Sequence, residues 1–292
     1  MPATTFETMP SAPDPVRRQH RTANGSVTAY DQGAHLAEWT VEEVPVVWVS
    51  SRAAYAEGQA IRGGVPVCWP WFAAGPSGEL KPMHGFARTA PWQLVEEDAG
   101  PREVRLVWVL TDADVDGLPG ADRFPHPFRA ELAVSVGHDC SVGLTVTNTG
   151  TEAFDYEAAL HTYLHVGDIH QAAVTGLDGA HYFDKVLQTD ARQDGPITVS
   201  GETDRVYTST ATVLVHDPVL GRTLQVEKSG SPTTVVWNPW VEKAAAMTDF
   251  GDDEWRQMLC VETAAVGRDS VRLQPGAEHT LSTTIRIVPR DR

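Results

Sequence analysis

The chain has 292 residues, of which 41% are hydrophobic and 21% are charged, enough apolar material for a large core and too little charge for an intrinsically disordered protein. Its net charge of −16 at pH 7 argues against general binding to nucleic acids or to anionic membranes, because both require a basic surface. No apolar run approaches the roughly 20 residues that span a bilayer.

The N-terminal segment MPATTFETMPSAPDPVRRQHR lacks the apolar central region of a signal peptide. We interpret residues 1–22 as a short flexible leader and residues 23–292 as a single domain, since no later segment has the composition of a linker. Three widely spaced cysteines, none in a CxxC pair, are typical of reduced thiols and argue against a disulfide framework or a thiolate zinc site. The expected location is therefore the cytoplasm.

Beyond the leader, apolar and polar residues mostly alternate with a period of two, in short runs broken by Gly, Pro, Asp and Asn, which is typical of strands. The predicted strands are residues 46–50, 103–111, 128–136, 141–149, 211–217, 222–228, 233–238, 258–263 and 279–288. Only residues 240–250 have a helical pattern. A βαβ fold would need helices of about 10–15 residues between its strands, so the pattern predicts an all-β fold of large antiparallel sheets.

Three polar segments are predicted to lie outside these strands. Residues 111–127 and 188–205 are rich in turn residues and are predicted to be loops. The acidic segment DFGDDEW, residues 249–255, lacks the spacing and the closing Glu of an EF-hand. We therefore interpret it as a solvated turn.

A cluster of histidines lies in EAALHTYLHVGDIH, residues 157–170. His161 and His165 have the spacing of a helical zinc pair, but the segment has a strand pattern. Residues four apart on a strand share a face and lie about 13 Å apart, too far to bind one ion. A single histidine that acts as an acid–base group and a structural histidine that is hydrogen-bonded in the core both remain open.

Glu262 lies at the end of the apolar strand QMLCVETAA, where alternation places it on one face with Met258 and Cys260. A carboxylate in such a position is costly to bury unless it is paired or hydrogen-bonded, and burial can raise its pKa into the range of a general base. A strand-end Glu that reaches solvent fits the pattern equally well. Asp204 with Arg205 fits a surface ion pair, Lys185 is ambiguous, and WNPW, residues 237–240, offers aromatic faces that line sugar sites or fill cores.

Taken in order, seven segments resemble the glucose-6-phosphate 1-epimerases, also called hexose-6-phosphate mutarotases, of the aldose 1-epimerase superfamily. The segments are IRGGVPVCWPWF, HGFART with Trp92, ALHTYLHVGDI, GLDGAHYFDK, ETDRVY, VVWNPWVEKAAAMTDF and CVET. They span about residues 24–288, nearly the whole chain. Alanines follow Phe72 where the resemblance leads us to expect a glycine.

The resemblance implies a β-supersandwich of the galactose mutarotase type with a sugar cleft on one sheet face, and an isomerase that interconverts the α and β anomers of a hexose 6-phosphate. It implies that Glu262 takes the proton of the C1 hydroxyl as general base while His161 protonates the ring oxygen as general acid, each with a pKa near neutrality. The residues implied for substrate binding are Arg62, His84, Arg88 and Asp204. Trp69 and Trp71 can wall the cleft.

In this interpretation Arg62 and Arg88 bind the phosphate, because a guanidinium presents forked donors that suit phosphate oxygens. The glycines between and beside them permit sharp turns and close approach of a ligand. No metal, nucleotide or redox cofactor is implied, the ligand is a small phosphosugar, and the expected protein is a monomer.

Three alternatives stay open at this point. The same fold can carry a non-catalytic sugar-phosphate sensor, although such a sensor does not need both His161 and Glu262. A mutarotase for neutral sugars would not need the two arginines, because a neutral donor can bind a sugar hydroxyl equally well. A glycosidase would need a second carboxylate about 5–9.5 Å from Glu262, for which Asp204 is the candidate.

Overall fold

A computed structural model describes residues 14–288 of the chain. Within that range the fold is built from short antiparallel strands with one α-helix. The strands are β1 Arg17–Thr22, β2 Gly25–Tyr30, β3 His35–Val41, β4 Val44–Pro45, β5 Val67–Cys68, β6 Gln93–Ala99, β7 Val104–Thr111, β8 Phe128–Val136, β9 Cys140–Asn148, β10 Phe154–Tyr156, β11 Ala158–Leu160, β12 Tyr163–His165, β13 Ala173–Thr175, β14 His181–Asp184, β15 Thr189–Arg192, β16 Ile197–Thr198, β17 Thr203–Thr208, β18 Val213–Asp217, β19 Arg222–Ser229, β20 Thr233–Asn238, β21 Met258–Ala265, β22 Val271–Leu273 and β23 Glu278–Val288. The α-helix is α1 Trp240–Ala246, and the 3-10 helices are Ala87–Thr89, Asp112–Val115, Ala121–Arg123, Glu254–Gln257 and Gly267–Asp269.

Two large antiparallel sheets form the body of the protein. One sheet has the strand order β16-β13-β18-β19-β23-β9-β8-β7-β6. The other has the order β15-β14-β17-β20-β21-β11-β5, and β12 pairs with β21 beside β11. A four-stranded sheet, β1-β2-β3-β4, and the pair β10-β22 complete the strands of residues 14–288.

The main core lies between the two large sheets. Val261 and Ala265 of β21 belong to the same buried cluster as Leu281 and Ile285 of β23. The opposite face of β21 is also covered, because Ala264 belongs to a second, smaller cluster. All eight residues of β21 are therefore buried, and the Glu262 carboxyl is held inside the protein.

The predicted all-β class is confirmed, and so are most of the predicted strands. Residues 128–136 and 233–238 form β8 and β20 with the predicted bounds, and the helical pattern within residues 240–250 gives α1. Residues 46–50 are not a continuous strand: they contribute isolated bridges at Val47 and Val49. No helix within residues 14–288 is long and apolar enough to cross a membrane.

Two predicted boundaries differ from the structure. Residues 17–22, which the sequence assigns to the leader, form β1 and pair along their whole length with β2; residues 1–13 lie outside the described range. The predicted loop 188–205 contains β15, β16 and the start of β17. The sequence of β15 does not predict a strand, because β15 lies at a sheet edge and has no buried face, so its apolar and polar residues do not alternate.

Candidate active site

The candidate catalytic pair lies on one face of the sheet that contains β21. Glu262 of β21 is paired with Val235 of β20, and Leu160 at the end of β11 is paired with Thr263. Continuing that antiparallel register by one residue sets His161 beside Glu262, with both side chains on the face opposite the main core. Sheet pairing alone thus brings together His161 and Glu262, which are 101 positions apart in the sequence.

His161 and Glu262 are in direct contact. His161 Nε2 lies 3.4 Å from Glu262 Oε1, and only 1% of the Glu262 surface is exposed. Among the described residues, Glu262 Oε2 has no hydrogen-bond partner. A buried carboxyl oxygen without a partner is costly, and the other oxygen of the same carboxyl lies against a candidate acid. That combination is typical of a reactive group rather than of a structural one.

Burial shifts the two pKa values in opposite directions. It raises the pKa of Glu262 well above its ordinary value of 4.5, and the charge of Asp204 adds to the increase. Burial lowers the pKa of His161 well below 6.5, with further lowering by the positive charges of Arg62 and Arg88. Both shifts favour uncharged groups in the free protein. The rise in the pKa of Glu262 has the direction expected from the sequence, whereas the pKa of His161 moves away from neutrality.

The His161 imidazole is held between aromatic rings. It stacks on Tyr163 with a centroid distance of 4.7 Å and an interplanar angle of 13°. The ring of Trp237 meets it edge-on at 5.8 Å, and His84 does so at 5.7 Å. These contacts fix the plane of the imidazole, so that Nε2 keeps its direction toward Glu262.

Arg62 joins the site through Tyr163. Its Nη1 donates to the Tyr163 hydroxyl at 3.1 Å, and its Nε and Nη2 each lie 3.1 Å from Asp249 Oδ2. A guanidinium has five N–H donors, so donors remain for a ligand after these contacts. Asp249 belongs to the acidic segment that the sequence suggested to be a solvated turn. That interpretation is wrong for Asp249, and also for Glu254, which accepts from Ser50 Oγ.

Arg88 lies in the 3-10 helix Ala87–Thr89, and its Nη2 donates to the carbonyl of Met83 at 2.8 Å. The preceding turn requires glycine: Gly85 has φ +73°, and a Cβ there would lie 2.0 Å from the carbonyl oxygen of Trp69. Gly63, next to Arg62, has φ +113°, and a Cβ would lie 2.4 Å from the Val49 Cα. The glycines thus let both arginine-bearing turns pack tightly.

Asp204 and Lys185 form an ion pair at the other end of this face. Lys185 Nζ lies 3.2 Å from Asp204 Oδ2 and 5.3 Å from the centre of the Phe72 ring. Burial raises the pKa of Asp204, and the charge of Lys185 partly offsets the effect. The suggested Asp204–Arg205 pair is wrong, because neighbouring residues of a strand face opposite sides, and Arg205 pairs with Asp184 instead.

Trp71 is the one predicted site residue that lies apart from this group. Its ring is buried in the main core against Phe86, and its Nε1 donates to the Pro82 carbonyl at 2.9 Å. Trp69 is likewise part of the core. The tryptophan beside His161 is Trp237. The sequence analysis noted it in WNPW, but the sequence does not say which face of the sheet its side chain lies on.

The loop after Phe72 carries the predicted departure from the family pattern. Ala73 has φ +50° and His84 has φ +66°, both in the left-handed region that favours glycine. The two residues face each other, and the His84 N–H donates to the Ala73 carbonyl at 2.7 Å. The backbone therefore has the conformation expected for glycine at residue 73, with alanine in its place.

A cavity of about 550 Å³ adjoins the site on the same sheet face. Its lining includes Phe72, Lys185, Val206 and Phe183, and does not include His161 or Glu262. Phe72 and Lys185 also contact the site, through His84 at a ring-centre distance of 4.9 Å and through Asp204 at 3.2 Å. His165 is paired with Met258 in the sheet, and His170 is paired with Asp168 at 2.8 Å. All three cysteines are free and buried, and Cys260 lies two residues before Glu262 on the same face of β21.

Residues 17–286 match the model of the aldose 1-epimerase family. The chain belongs to the aldose 1-epimerase family. A protein from Cenchrus ciliaris is 35% identical over 271 residues, which cover 89% of this chain and 80% of that one. A protein from Escherichia coli K12 is 36% identical over 266 residues, covering 89% and 86%. Both carry the name "putative glucose-6-phosphate 1-epimerase".

The fold agrees with this family. The crystal structure of YeaD from Salmonella typhimurium, described as a "putative mutarotase", superposes with a TM-score of 0.82 at 32% identity, covering 92% of this chain and 89% of that one. The predicted supersandwich class and the family predicted by resemblance are therefore confirmed, and the chain is an epimerase of this family.

Proposed function

We propose that the protein interconverts the α and β anomers of glucose 6-phosphate, or of a closely related hexose 6-phosphate. The observation that carries the proposal is the buried contact between His161 and Glu262, 3.4 Å apart, with Arg62 joined to the same cluster through Tyr163. The names of the relatives at 35% and 36% identity agree with this substrate.

In the proposed reaction, Glu262 takes the proton from the C1 hydroxyl and His161 gives a proton to the ring oxygen. The C1–O5 bond breaks and leaves an open-chain aldehyde. After rotation about the C1–C2 bond, the same groups reverse their roles and close the ring on the other face of the carbonyl. O1 and O5 are bonded to the same carbon, so adjacent acid and base groups can serve both.

The reactive state needs a carboxylate and an imidazolium, which is one proton transfer away from the neutral pair. Moving the Glu262 proton across the 3.4 Å contact to His161 supplies both groups without any exchange with solvent. Arg62 and Arg88 are proposed to hold the phosphate, whose negative charge would balance theirs. His84 and Asp204 are proposed to bind sugar hydroxyls, with Lys185 holding Asp204 in place.

A sugar-phosphate sensor on the same fold is the weaker candidate, because binding alone gives no reason to bury a carboxyl group with one oxygen against a histidine and the other without a partner. We further propose that the protein acts as a monomer in the cytoplasm on a free phosphosugar. Buried, unpaired cysteines agree with a reducing compartment, and analytical ultracentrifugation tests the monomer.

Two-dimensional exchange NMR on the anomeric protons of glucose 6-phosphate tests the proposal. Exchange cross-peaks should build up faster with the wild-type protein than in buffer. His161→Asn and Glu262→Gln should each remove at least about 100-fold of that acceleration while the phosphosugar still binds. Binding without acceleration by the wild-type protein would favour the sensor instead.

A further inference from the structure

The proposed phosphate site and the proposed acid belong to one connected cluster. Arg62 donates to the Tyr163 hydroxyl, and the Tyr163 ring is stacked on the His161 imidazole. The Tyr163 and His161 rings are in contact, with their centres 4.7 Å apart. A change of charge at Arg62 therefore alters the electrostatic potential at His161, because the buried rings between them have a low dielectric constant and screen charge weakly.

Several charged and titratable groups face the imidazole. They are Arg62, Arg88, Lys185, His84, Tyr163 and Glu262. Two of the three cations have a carboxylate partner: Asp249 lies against Arg62, and Asp204 against Lys185. Arg88 contacts a neutral carbonyl instead. Among residues 14–288, positive charge thus exceeds negative charge around a buried imidazole, which opposes its protonation.

We propose that a dianion held between Arg62 and Arg88 activates His161, so that inorganic phosphite, added as a separate molecule, turns on anomer interconversion of unphosphorylated glucose. This inference rests on the proposed function and extends it to neutral hexoses. The substrate's own phosphate then has two roles, binding and activation.

The activating step is balanced within the site. When the dianion offsets the two guanidinium charges, the proton of Glu262 passes to His161 Nε2 across 3.4 Å. The products are a carboxylate that can take the proton of the C1 hydroxyl and an imidazolium that can protonate the ring oxygen. Ring closure returns both protons, so no further reactant is consumed.

The test is exchange NMR on glucose with increasing phosphite. Because phosphite itself catalyses proton transfer, each concentration is also measured with the Glu262→Gln variant as a blank. We expect a saturable acceleration of at least about tenfold over the phosphite-free wild-type protein, competed by glucose 6-phosphate. Arg88→Ala should lose the activation, whereas Arg21→Ala, at an exposed position of β1, should keep it.

A second readout follows the proton directly. In protein labelled with ¹⁵N-histidine, the His161 signal, assigned with His161→Asn, should change from neutral to protonated imidazole when phosphite binds. If phosphite competes with glucose 6-phosphate but changes neither the His161 signal nor glucose exchange, this inference is wrong while the proposed function stands. If glucose 6-phosphate itself is not turned over, the proposed function fails and this inference falls with it.

Discussion

Replacing Glu262 with Gln should inactivate the protein and stabilise it, with a stabilisation that depends on pH. The carboxyl is 1% exposed, and Oε2 has no partner among the described residues. Its pKa is raised in the folded state above the ordinary value of 4.5. The folded protein therefore holds a proton that the unfolded chain releases, and the stability that Glu262 contributes below pH 4.5 is lost as the pH rises through its folded pKa.

Glutamine has the same shape and does not titrate, so the difference between variant and wild type isolates this term. One bound proton corresponds to about 1.4 kcal/mol per pH unit. As the pH rises above 4.5, the variant's advantage in the free energy of unfolding should thus widen by up to about 1.4 kcal/mol per pH unit, until the pH passes the folded pKa of Glu262. The loss of activity should be at least about 100-fold.

Urea unfolding of both proteins at each pH measures the effect, and Glu278→Gln, at an exposed position of β23, is the matched control. The pKa of His161 is lowered in the folded state, so its contribution to the free energy of unfolding is lost as the pH falls below 6.5. This happens in both proteins, so the effect largely cancels in the difference between them. An advantage that does not change with pH, or a variant that keeps wild-type turnover, would refute the assignment of Glu262 as a buried general base.

Three further substitutions test the surroundings of the pair. Arg88→Ala should raise KM for glucose 6-phosphate by about 10–150-fold, the loss of one hydrogen bond to a charged group, without raising KM for glucose; an equal rise in KM for glucose would contradict its phosphate role. Tyr163→Phe removes the hydroxyl that accepts from Arg62 but keeps the stack on His161. We therefore expect KM to rise about 2–10-fold with kcat nearly unchanged. A fall in kcat alone would show that the hydroxyl does not act by positioning Arg62. Ala73→Gly relieves a left-handed alanine with φ +50° and should add about 0.5–1 kcal/mol to the free energy of unfolding in urea; destabilisation would show that the loop is not strained there.

The strands that build the main core were predictable because their alternation is a local property. β8 alternates buried and half-buried residues along all nine positions, and its bounds follow from the pattern alone. β21 is different, because it is buried on both faces. Its sequence predicts a strand, but it does not say which face opens toward a ligand.

The site itself depends on contacts between residues far apart in sequence, which no local pattern contains. The Arg62–Asp249 contact joins residues 187 positions apart, and an acidic turn that holds an arginine has the same composition as a solvated one. Trp71 and Trp237 illustrate the same limit. Both are buried tryptophans in aromatic, proline-containing segments, and only the folded structure places Trp71 against Phe86 and Trp237 beside His161.

The central claim is that the protein is a mutarotase that selects a phosphorylated hexose. Its most direct test is the ratio of kcat/KM for glucose 6-phosphate to that for glucose, both measured with the wild-type protein by anomeric exchange NMR without added dianion. Two charge-assisted contacts of about 1.5–3 kcal/mol each predict a ratio of at least about 100. A ratio near one, with both sugars turned over, would show a mutarotase that ignores the phosphate and would contradict the proposed phosphate-binding roles of Arg62 and Arg88.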